Sequence, residues 1–267
     1  MSYGVKAAER IAGKTVLLTG ASSGIGEATA FELASAAKGN IRLILGARRL
    51  ERLEDLKSKL EKEFSAIKIL PTRLDVSDYT AISKYLSALP KDWADIDVLV
   101  NNAGLAKGTA KVGEIAAEDL KAMYFTNVLG TIELTNALLP HFRAHNKGDI
   151  VMVGSIAGIE AYPGGSIYCA TKSSLRAFTN SLRQETIDSH IRVMEVDPGA
   201  VETEFSLVRY GGDKEKSDNV YKGTEPLTAT DIAEIITFAL TRRSNTVLAQ
   251  SLVFPSHQAG SAYRHRN

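Results

Sequence analysis

The chain has 267 residues, of which 44% are hydrophobic and 24% are charged. This is the composition of an ordinary globular protein, which excludes a disordered, collagenous or coiled-coil chain. With 32 Lys and Arg against 31 Asp and Glu, the formal net charge is +1. Proteins that bind nucleic acid usually carry a basic surplus or stripe, so we expect neither a nucleic acid nor an acidic membrane as partner.

The sequence offers little for metal binding, disulfide formation or membrane insertion. Cys169 is the single cysteine, so it can form neither an intrachain disulfide nor a cysteine zinc cluster, and we interpret it as a packed side chain. His141 and His145 are four residues apart, but no HExxH or third-ligand pattern surrounds them, so we expect no metal. No apolar run approaches the ~18 residues of a membrane span, and no signal peptide is visible. We expect a cytoplasmic protein.

Strand-like and helix-like segments alternate in chain order. The predicted strands are 14–19, 41–47, 67–70, 98–101, 149–155, 192–196 and 247–254. The predicted helices between them are 25–37, 50–64, 77–89, 118–145, 166–189 and 229–242. The helix at 50–64 is charged and amphipathic. Apolar strands that alternate with helices predict a parallel sheet of about seven strands with helices on both faces. No linker divides the chain, so we predict a single α/β domain over residues 1–267 with a doubly wound Rossmann fold.

A glycine-rich loop joins the first strand to the first helix. Residues 19–26 read TGASSGIG. Glycine allows the sharp turn, the close approach of a pyrophosphate to the backbone and the tight packing of the helix on the sheet. The N-terminus of the following helix offers free N–H groups and the positive end of its dipole to an anion. The loop therefore predicts a dinucleotide phosphate site that contains Gly20, Ser22, Ser23, Gly24, Ile25 and Gly26.

The residues after the second strand favour NADP over NAD. An NAD site usually has an acidic residue about 20 residues beyond the glycines. Here the chain has Arg48 and Arg49, and the nearest acid is Glu51. Two guanidinium groups suit the 2′-phosphate of NADP. The alternative is that both arginines are solvated loop residues.

A tyrosine and a lysine are spaced for general acid–base chemistry. Tyr168 and Lys172 are four residues apart, which places them on one face of a helix. Tyr210 and Lys214 share this spacing but lie in a Gly-Gly segment that cannot hold them as a helical pair. The ordinary pKa of tyrosine is about 10, and a nearby ammonium group should lower it towards working pH. We expect Tyr168 to be the general acid for carbonyl reduction and the general base for alcohol oxidation.

Two further polar residues accompany this pair. Ser155 ends a predicted strand 13 residues before Tyr168, and Asn127 lies in the long helix before that strand. We expect Ser155 to hydrogen-bond the substrate oxygen and hold it in line with the hydride. Alone, Ser155 could equally cap a turn, and Asn127 could satisfy buried helix backbone.

The motifs together resemble the short-chain dehydrogenase/reductase family over nearly the whole chain. They occur in family order as Thr19–Gly26 (TGASSGIG), Asn101-Asn102-Ala103-Gly104, Asn127, Ser155, Tyr168 with Lys172, and Pro198-Gly199. The stretches 154–158, 162–172 and 201–210 look like NADP-dependent 3-hydroxy acid dehydrogenases. That resemblance implies oxidation of serine, allo-threonine and related acids.

The resemblance also assigns roles by position. It implies that Lys172 holds the nicotinamide ribose hydroxyls and that Asn127 supports a water relay to this lysine. Further NADP contacts implied in this way, besides Tyr168 and Lys172, are Asp75, Val76, Asn102, Ala103, Gly104, Pro198, Gly199, Val201 and Thr203. It further implies a homotetramer, in which long helices pack between subunits.

The substrate side is less sharply predicted. Residues 202–225 are polar and lack periodicity, so we expect a mobile loop over the active site. Within it, Arg209 is our candidate for binding a substrate carboxylate, with a solvated charge as the alternative. Two other functions stay open: a broad NADPH-dependent reductase of neutral ketones and aldehydes, and a nucleotide-sensing protein without catalysis. The sequence keeps all of the expected catalytic residues, which argues against a nucleotide-sensing protein without catalysis. These residues are Asn127, Ser155, Tyr168 and Lys172.

Overall fold

A parallel sheet of seven strands forms the centre of the molecule. The computed structural model describes residues 4–267, and the strand order is β3-β2-β1-β4-β5-β6-β7, with every neighbouring pair parallel. The strands are β1 Thr15–Thr19, β2 Arg42–Ala47, β3 Lys68–Arg73, β4 Val98–Asn101, β5 Gly148–Val153, β6 Ile191–Pro198 and β7 Ser251–Val253. The predicted fold class is confirmed.

Helices cover both faces of the sheet. They are α1 Val5–Ala8, α2 Gly24–Ala36, α3 Leu50–Glu63, α4 Ile82–Ser87, α5 Ala117–Tyr124, α6 Thr131–Ala144, α7 Ser166–Glu185, α8 Glu204–Arg209, α9 Lys214–Asn219 and α10 Ala229–Leu240. The predicted helix 118–145 is in fact α5 and α6 joined by a π-helical turn, Phe125–Gly130. The predicted helix 77–89 is shorter, with α4 preceded by a 3₁₀ turn at Tyr79–Ala81. No helix within residues 4–267 is long and apolar enough to cross a membrane.

Alternating side chains of the buried strands build two hydrophobic layers. In β1, Val16 and Leu18 pack into the layer under α2, α3 and α10, whereas Leu17 packs into the layer under α6 and α7. All three side chains are fully buried. Successive residues of a strand point to opposite faces, so a continuous apolar strand indicates a sheet covered on both sides.

The strand order determines where a ligand can bind. The chain winds outwards from β1 to β3 and then crosses back to β4 on the other side of β1. At such a switch point the loops that follow neighbouring strands separate and leave a crevice at their carboxyl ends. The glycine loop after β1 and the loop after β4 therefore lie on either side of this crevice.

The segment 202–225 has more regular structure than we expected. It contains α8 and α9, because Thr203 Oγ1 accepts the Phe205 N–H at 3.2 Å and an Asp213 carboxylate oxygen accepts the Lys216 N–H at 3.1 Å. The two helices are separated by glycines at positions 211 and 212, whose φ angles are +63° and +94°. The expected loop therefore contains two short helices, and its role over the active site stays a prediction. The prediction that Tyr210 and Lys214 do not share a helix is confirmed.

A buried ion cluster holds the end of the sheet opposite the crevice. Asp149 accepts from Arg192 Nε at 2.6 Å and from Lys14 Nζ at 2.7 Å. Arg192 also donates to Leu240 O at 3.0 Å and Thr246 O at 3.2 Å, so the cluster ties β5 and β6 to the end of α10. Burial alone would raise the pKa of Asp149, but Arg192 and Lys14 outweigh it and lower the pKa.

We expect Asp149→Asn to lower the free energy of unfolding by about 3 kcal/mol, because it leaves the Arg192 charge buried without its partner. The carboxylate's contribution is present at neutral pH and is lost as the pH falls through its lowered pKa, so the difference from wild type should shrink in acid. Urea unfolding at several pH values measures this. The control is Asp188→Asn, which removes an exposed ion pair with Arg143 and should cost less than about 1 kcal/mol. Equal costs for the two variants would contradict this account.

Candidate active site

One large crevice opens at the carboxyl ends of the central strands. Its empty space, including the open side, is about 1430 Å³. Most of the residues predicted to bind the cofactor line it, namely Gly20, Ser22, Ser23, Gly24, Ile25, Arg48, Arg49, Asp75, Val76, Asn102, Ala103, Gly104, Tyr168, Lys172, Pro198, Val201 and Thr203. The cofactor residues chosen from the sequence are spread along much of the chain, and the fold brings most of them together around this crevice.

Two predicted contact residues do not line the crevice. A Cβ atom on Gly26 would overlap Gly20 O and lie 2.6 Å from Asn102 Nδ2, so this glycine serves to pack α2 against the loops. The N–H of Gly199 donates to Val253 O at 2.7 Å, and a Cβ atom there would lie 2.5 Å from Gln258 Oε1. Both glycines are needed for close packing behind the crevice, and their assignment as cofactor contacts stays a prediction.

Thr19 joins the loops on either side of the crevice, and we did not predict this from the sequence. Its Oγ1 accepts the N–H groups of Asn102 and Ala103, both at 3.0 Å, and donates to Val100 O at 3.3 Å. Asn102 Nδ2 returns a hydrogen bond to Thr19 O at 2.8 Å. The end of β1 therefore fixes the backbone after β4.

An arginine lies directly against the glycine loop. Arg49 Nη2 is 3.1 Å from Ser22 Oγ and 2.9 Å from Ser23 Oγ, whereas Arg48 is exposed at the rim. A helix N-terminus with two hydroxyls and two guanidinium groups forms a strong anion site. This donor set fits a phosphorylated dinucleotide, and the assignment of the arginines to its 2′-phosphate stays a prediction.

Glu204 is the residue at this site that we did not predict. Its two carboxylate oxygens accept from Arg49 at 3.0 Å and from Arg52 at 2.6 Å. Hydrogen bonding to Arg52 lowers the pKa of Glu204 despite the opposing effect of its partial burial. Because Glu204 begins α8, this ion cluster connects the segment 202–225 to the phosphate side of the crevice.

The predicted catalytic residues meet at the other end of the crevice. Ser155 follows β5 and its side chain hydrogen-bonds that of Tyr168. Tyr168 and Lys172 lie on one face of α7, and Lys172 Nζ is 5.9 Å from the centre of the Tyr168 ring. Lys172 Nζ donates to Val153 O at 2.8 Å. The structure therefore brings together three of the four predicted catalytic residues.

Asn127 lies in the π-helical turn and supports the neighbouring loop. Its Oδ1 accepts the Leu105 N–H at 2.8 Å, while its Nδ2 donates to Leu105 O at 2.8 Å and to Thr171 Oγ1 at 3.1 Å. Asn127 therefore satisfies buried backbone of the loop after β4 rather than of a helix, and its implied role in a water relay stays a prediction. A Cβ atom on Gly104 would lie 3.4 Å from Asn127 Oδ1 and 3.6 Å from Lys172 Nζ, so the Asn127 amide and the Lys172 ammonium group face the same space.

Burial controls the acidity of the catalytic tyrosine. It raises the pKa of Tyr168, and neighbouring Tyr162 raises it further. The hydrogen bond from Ser155 and the charge of Arg209 lower this pKa, but they do not offset burial. Our expectation that Lys172 brings this pKa below its ordinary value is therefore wrong for this structure. Burial also lowers the pKa of Lys172 to about 8, although two nearby carboxyl groups oppose the shift.

Arg209 is more firmly held than either of our interpretations expected. It donates to Gly108 O at 3.2 Å, to Tyr162 Oη at 2.9 Å and to Gly164 O at 3.1 Å. It lines a smaller cavity that also contacts Tyr168. The solvated alternative is therefore wrong. Because a guanidinium has five N–H groups, two of them have no role in these three bonds.

The histidine pair has a third potential ligand beside it. One oxygen or nitrogen from each of Asp95, His141 and His145 lies within 4.8 Å of the others. However, His141 Nε2 is 3.1 Å from Ile96 O, and His145 Nδ1 is 2.8 Å from His141 O. Each ring thus hydrogen-bonds a carbonyl near the end of α6, and our expectation that no metal binds stays a prediction.

The comparison with known proteins decides the family. Residues 14–209 match the short chain dehydrogenase family. The chain belongs to the short-chain dehydrogenase/reductase family. It is 58% identical over 257 residues to the NADP-dependent 3-hydroxy acid dehydrogenase of Schizosaccharomyces pombe, which covers 96% of this chain and 98% of that protein. It is 40% identical to serine 3-dehydrogenase of Agrobacterium fabrum, over 94% of this chain and 97% of that protein.

The fold of this family member also matches solved structures. The closed form of a serine dehydrogenase complexed with NADP⁺ superimposes with a TM-score of 0.86 at 36% identity, covering 95% of this chain and 100% of the other. A serine dehydrogenase from Escherichia coli matches with a TM-score of 0.77 at 32% identity, over 92% and 99% of the two chains. The resemblance drawn from the order of the motifs is confirmed.

Replacing Arg48 and Arg49 together by Gln should weaken NADP⁺ binding about 100-fold, because charge-assisted hydrogen bonds to the 2′-phosphate contribute about 1.5 kcal/mol or more each. NAD⁺, which lacks this phosphate, should bind with little change. Titration of each nucleotide by isothermal calorimetry measures both affinities. The control is Arg52→Gln, since Arg52 contacts Glu204 but does not line the crevice. An unchanged ratio of the NADP⁺ and NAD⁺ affinities would show that neither arginine binds the 2′-phosphate.

Proposed function

We propose that this chain is an NADP-dependent oxidoreductase that transfers a hydride between NADP(H) and a 3-hydroxy acid such as serine or allo-threonine. The observation that carries the proposal is one crevice with Ser155, Tyr168 and Lys172 at one end and Arg48 with Arg49 at the other. The first set can handle the proton of an alcohol or carbonyl group, and the second suits a 2′-phosphate. The named activities of the Schizosaccharomyces and Agrobacterium relatives support the same reaction.

The chain's own residues divide the chemistry between them. Bound NADP supplies or accepts the hydride. Tyr168 removes the hydroxyl proton during oxidation and returns it during reduction, and Ser155 holds the same substrate oxygen by a hydrogen bond. Burial disfavours the Tyr168 phenolate, so positive charge beside the ring is needed to form it. Lys172 supplies that charge while its pKa of about 8 keeps it protonated at neutral pH.

The residues that would hold NADP form three groups. The glycine loop, Arg48 and Arg49 take the phosphates, whereas the residues after β3 and β4 take the adenosine. These are Asp75, Val76, Asn102, Ala103 and Gly104. Lys172 would hold the nicotinamide ribose, with Val201 and Thr203 at the carboxamide.

Arg209 is our proposed carboxylate anchor. Its guanidinium contacts Tyr162 and lies in the cavity that adjoins Tyr168. Its three bonds to the protein fix its position, and the remaining N–H groups leave room for a carboxylate. We propose that residues 202–225, with α8 and α9, form the cover of the substrate site. This cover and the dinucleotide site belong to one domain over residues 1–267.

We also propose that the protein is a cytoplasmic homotetramer. Leu120 and Phe125 are each 38% exposed on the α5 side of the molecule, which leaves apolar surface for contact between subunits. The single cysteine, Cys169, is free and buried. Such cysteine usage is compatible with a reducing compartment.

A substrate panel with NADP⁺ tests the proposed function. We expect L-serine, L-allo-threonine and 3-hydroxybutyrate to be oxidised with a higher kcat/KM than alcohols of the same size without a carboxylate, as measured by NADPH absorbance. Rapid NADPH consumption with neutral ketones, together with no activity on the acids, would instead establish a general carbonyl reductase.

Arg209→Gln should raise the KM for L-serine about 30-fold, because a charge-assisted contact with the carboxylate is worth about 2 kcal/mol. The KM for a neutral alcohol should change little. Lys214→Gln is the control, because this cation of the same segment pairs with Asp218. If Arg209→Gln raised both KM values equally, Arg209 would only support the loops that it joins.

A further inference from the structure

Two carboxyl groups are buried directly beneath the catalytic residues. Glu195 and Asp197 are two residues apart on β6, so both side chains lie on the same face of the sheet. Each residue is 1% exposed. This is the face covered by α7, since Arg183 of that helix donates to Val193 O of β6 at 3.0 Å. Isolated buried carboxylates are costly, so the pair requires an explanation.

The two carboxyl groups converge at the end of β5. A Cβ atom on Gly154 would overlap Asp197 Oδ1 and lie 2.9 Å from Glu195 Oε1. The Gly154 N–H donates to Val196 O at 2.8 Å, which fixes this backbone against β6. The absence of a side chain at Gly154 therefore lets both carboxyl groups reach the backbone between Val153 and Ser155.

The two groups differ in their hydrogen bonds. Asp197 Oδ1 accepts the Ser155 N–H at 3.0 Å, and Asp197 Oδ2 accepts from Gln250 Nε2 at 2.8 Å. Neither buried oxygen of Glu195 receives an N–H or O–H from another group within residues 4–267. The Glu195 carboxyl does lie within hydrogen-bonding reach of Asp197. Two carboxyl groups can share such a bond only when one of them carries a proton.

The surrounding charges indicate which group carries the proton. α7 contributes Lys172 and Arg183, whose charges act on the pair, while the segment before β7 contributes the neutral Gln250. Arg183 is already bonded to Val193 O and Ala249 O. Burial, followed by the charge of Asp197, raises the pKa of Glu195 to about 7. Because Asp197 accepts two N–H groups and Glu195 accepts none, the proton belongs to Glu195 and Asp197 is the ionised partner.

We propose that Glu195 and Asp197 share one proton and act as a positioning pair for Ser155 and Lys172. Protonated Glu195 donates a hydrogen bond to Asp197. The single negative charge on Asp197 then accepts the Ser155 N–H and stabilises the buried positive charge of Lys172. When Glu195 loses its proton to solvent, the two carboxylates repel each other and the hold on Ser155 weakens. Neither residue contacts the reacting atoms. The proposal rests on the proposed catalytic use of Ser155 and Lys172.

The spectroscopic test uses wild type and Glu195→Gln. Fourier-transform infrared spectra at pH 6 should contain the C=O stretch of a buried protonated carboxyl group. This band should be absent from Glu195→Gln and should fade in wild type as the pH rises from 6 to 9. Glu234→Gln, which changes an exposed glutamate of α10, should leave the band unchanged. If wild type and Glu195→Gln had the same carboxyl spectrum at pH 6, the shared proton would be disproved. This readout requires no turnover, so it does not depend on the identity of the substrate.

The kinetic test separates positioning from mere packing. Glutamine resembles protonated glutamic acid, so the ratio of kcat for Glu195→Gln to that of wild type should be close to one at pH 6. The ratio should rise by pH 7.5, above the pKa of Glu195 and below that of Lys172, because only wild type gains the second negative charge. The comparison ends at this pH because loss of the Glu195 charge also lowers the pKa of Lys172. A ratio that does not change with pH would overturn the proposed pair, even if the infrared band were present.

A second variant tests the need for the donated hydrogen bond. Glu195→Met fills the same space but cannot donate to Asp197, so its kcat should fall about tenfold at pH 6, as expected for a hydrogen bond to a charged group worth about 1.5 kcal/mol. Full activity of Glu195→Met would contradict the proposal. Because the Gln variant keeps the hydrogen bond, the test stands even if the Met variant fails to fold.

Discussion

The carboxyl end of β5 is held by two charged groups, and the geometry of the active site depends on this anchorage. The carbonyl of Val153 accepts from Lys172 at 2.8 Å, and two residues later the N–H of Ser155 donates to Asp197 at 3.0 Å. The first bond fixes α7, and with it Tyr168, relative to the sheet. The second fixes the serine. One short backbone segment thus sets the distance between the group that holds a substrate oxygen and the group that exchanges its proton.

The carboxyl groups on the neighbouring strand β6 explain how Lys172 can be both buried and charged. Desolvation disfavours the ammonium group of Lys172, whereas the carboxyl groups on β6 favour it, and the balance places its pKa at about 8. A lysine without these neighbours would lose its proton at lower pH. Tyr168 shows the opposite case, because burial raises its pKa by more than the Ser155 hydrogen bond and the charge of Arg209 lower it. Its phenolate therefore depends on positive charge beside the ring.

Helix α8 connects the two ends of the crevice. At its start, Glu204 pairs with Arg49 and Arg52 beside the glycine loop. At its end, Arg209 bonds Tyr162, which lies next to Tyr168. A six-residue helix held at both ends can transmit a change at the phosphate site to the substrate site. The sequence showed only a polar stretch without periodicity here, because such a short helix is fixed by its caps and ion pairs.

The parts that the sequence predicts well follow from strong local patterns. Buried strands are continuous apolar runs, the glycine loop has a position between a strand and a helix, and Tyr168 with Lys172 has helical spacing. The parts that it misses depend on contacts between distant residues. Thr19 binds the backbone of Asn102, Glu204 binds Arg49, and Asp197 accepts the N–H of Ser155, each across a long stretch of chain. Gly26 and Gly199 resemble contact residues in the sequence, but Gly26 also packs against Asn102 and Gly199 packs against Gln258, both far along the chain.

The central claim is that Tyr168 and the cofactor act together on the hydroxyl-bearing carbon of a 3-hydroxy acid. It is tested most directly by incubating the enzyme with NADP⁺ and L-serine deuterated at C3, and by following the nicotinamide C4 position by NMR. Direct hydride transfer predicts that the NADPH formed carries deuterium at C4, and that Tyr168→Phe forms almost none while it still binds the nucleotide. NADPH without deuterium, or a Tyr168→Phe variant that works at the wild-type rate, would contradict the account.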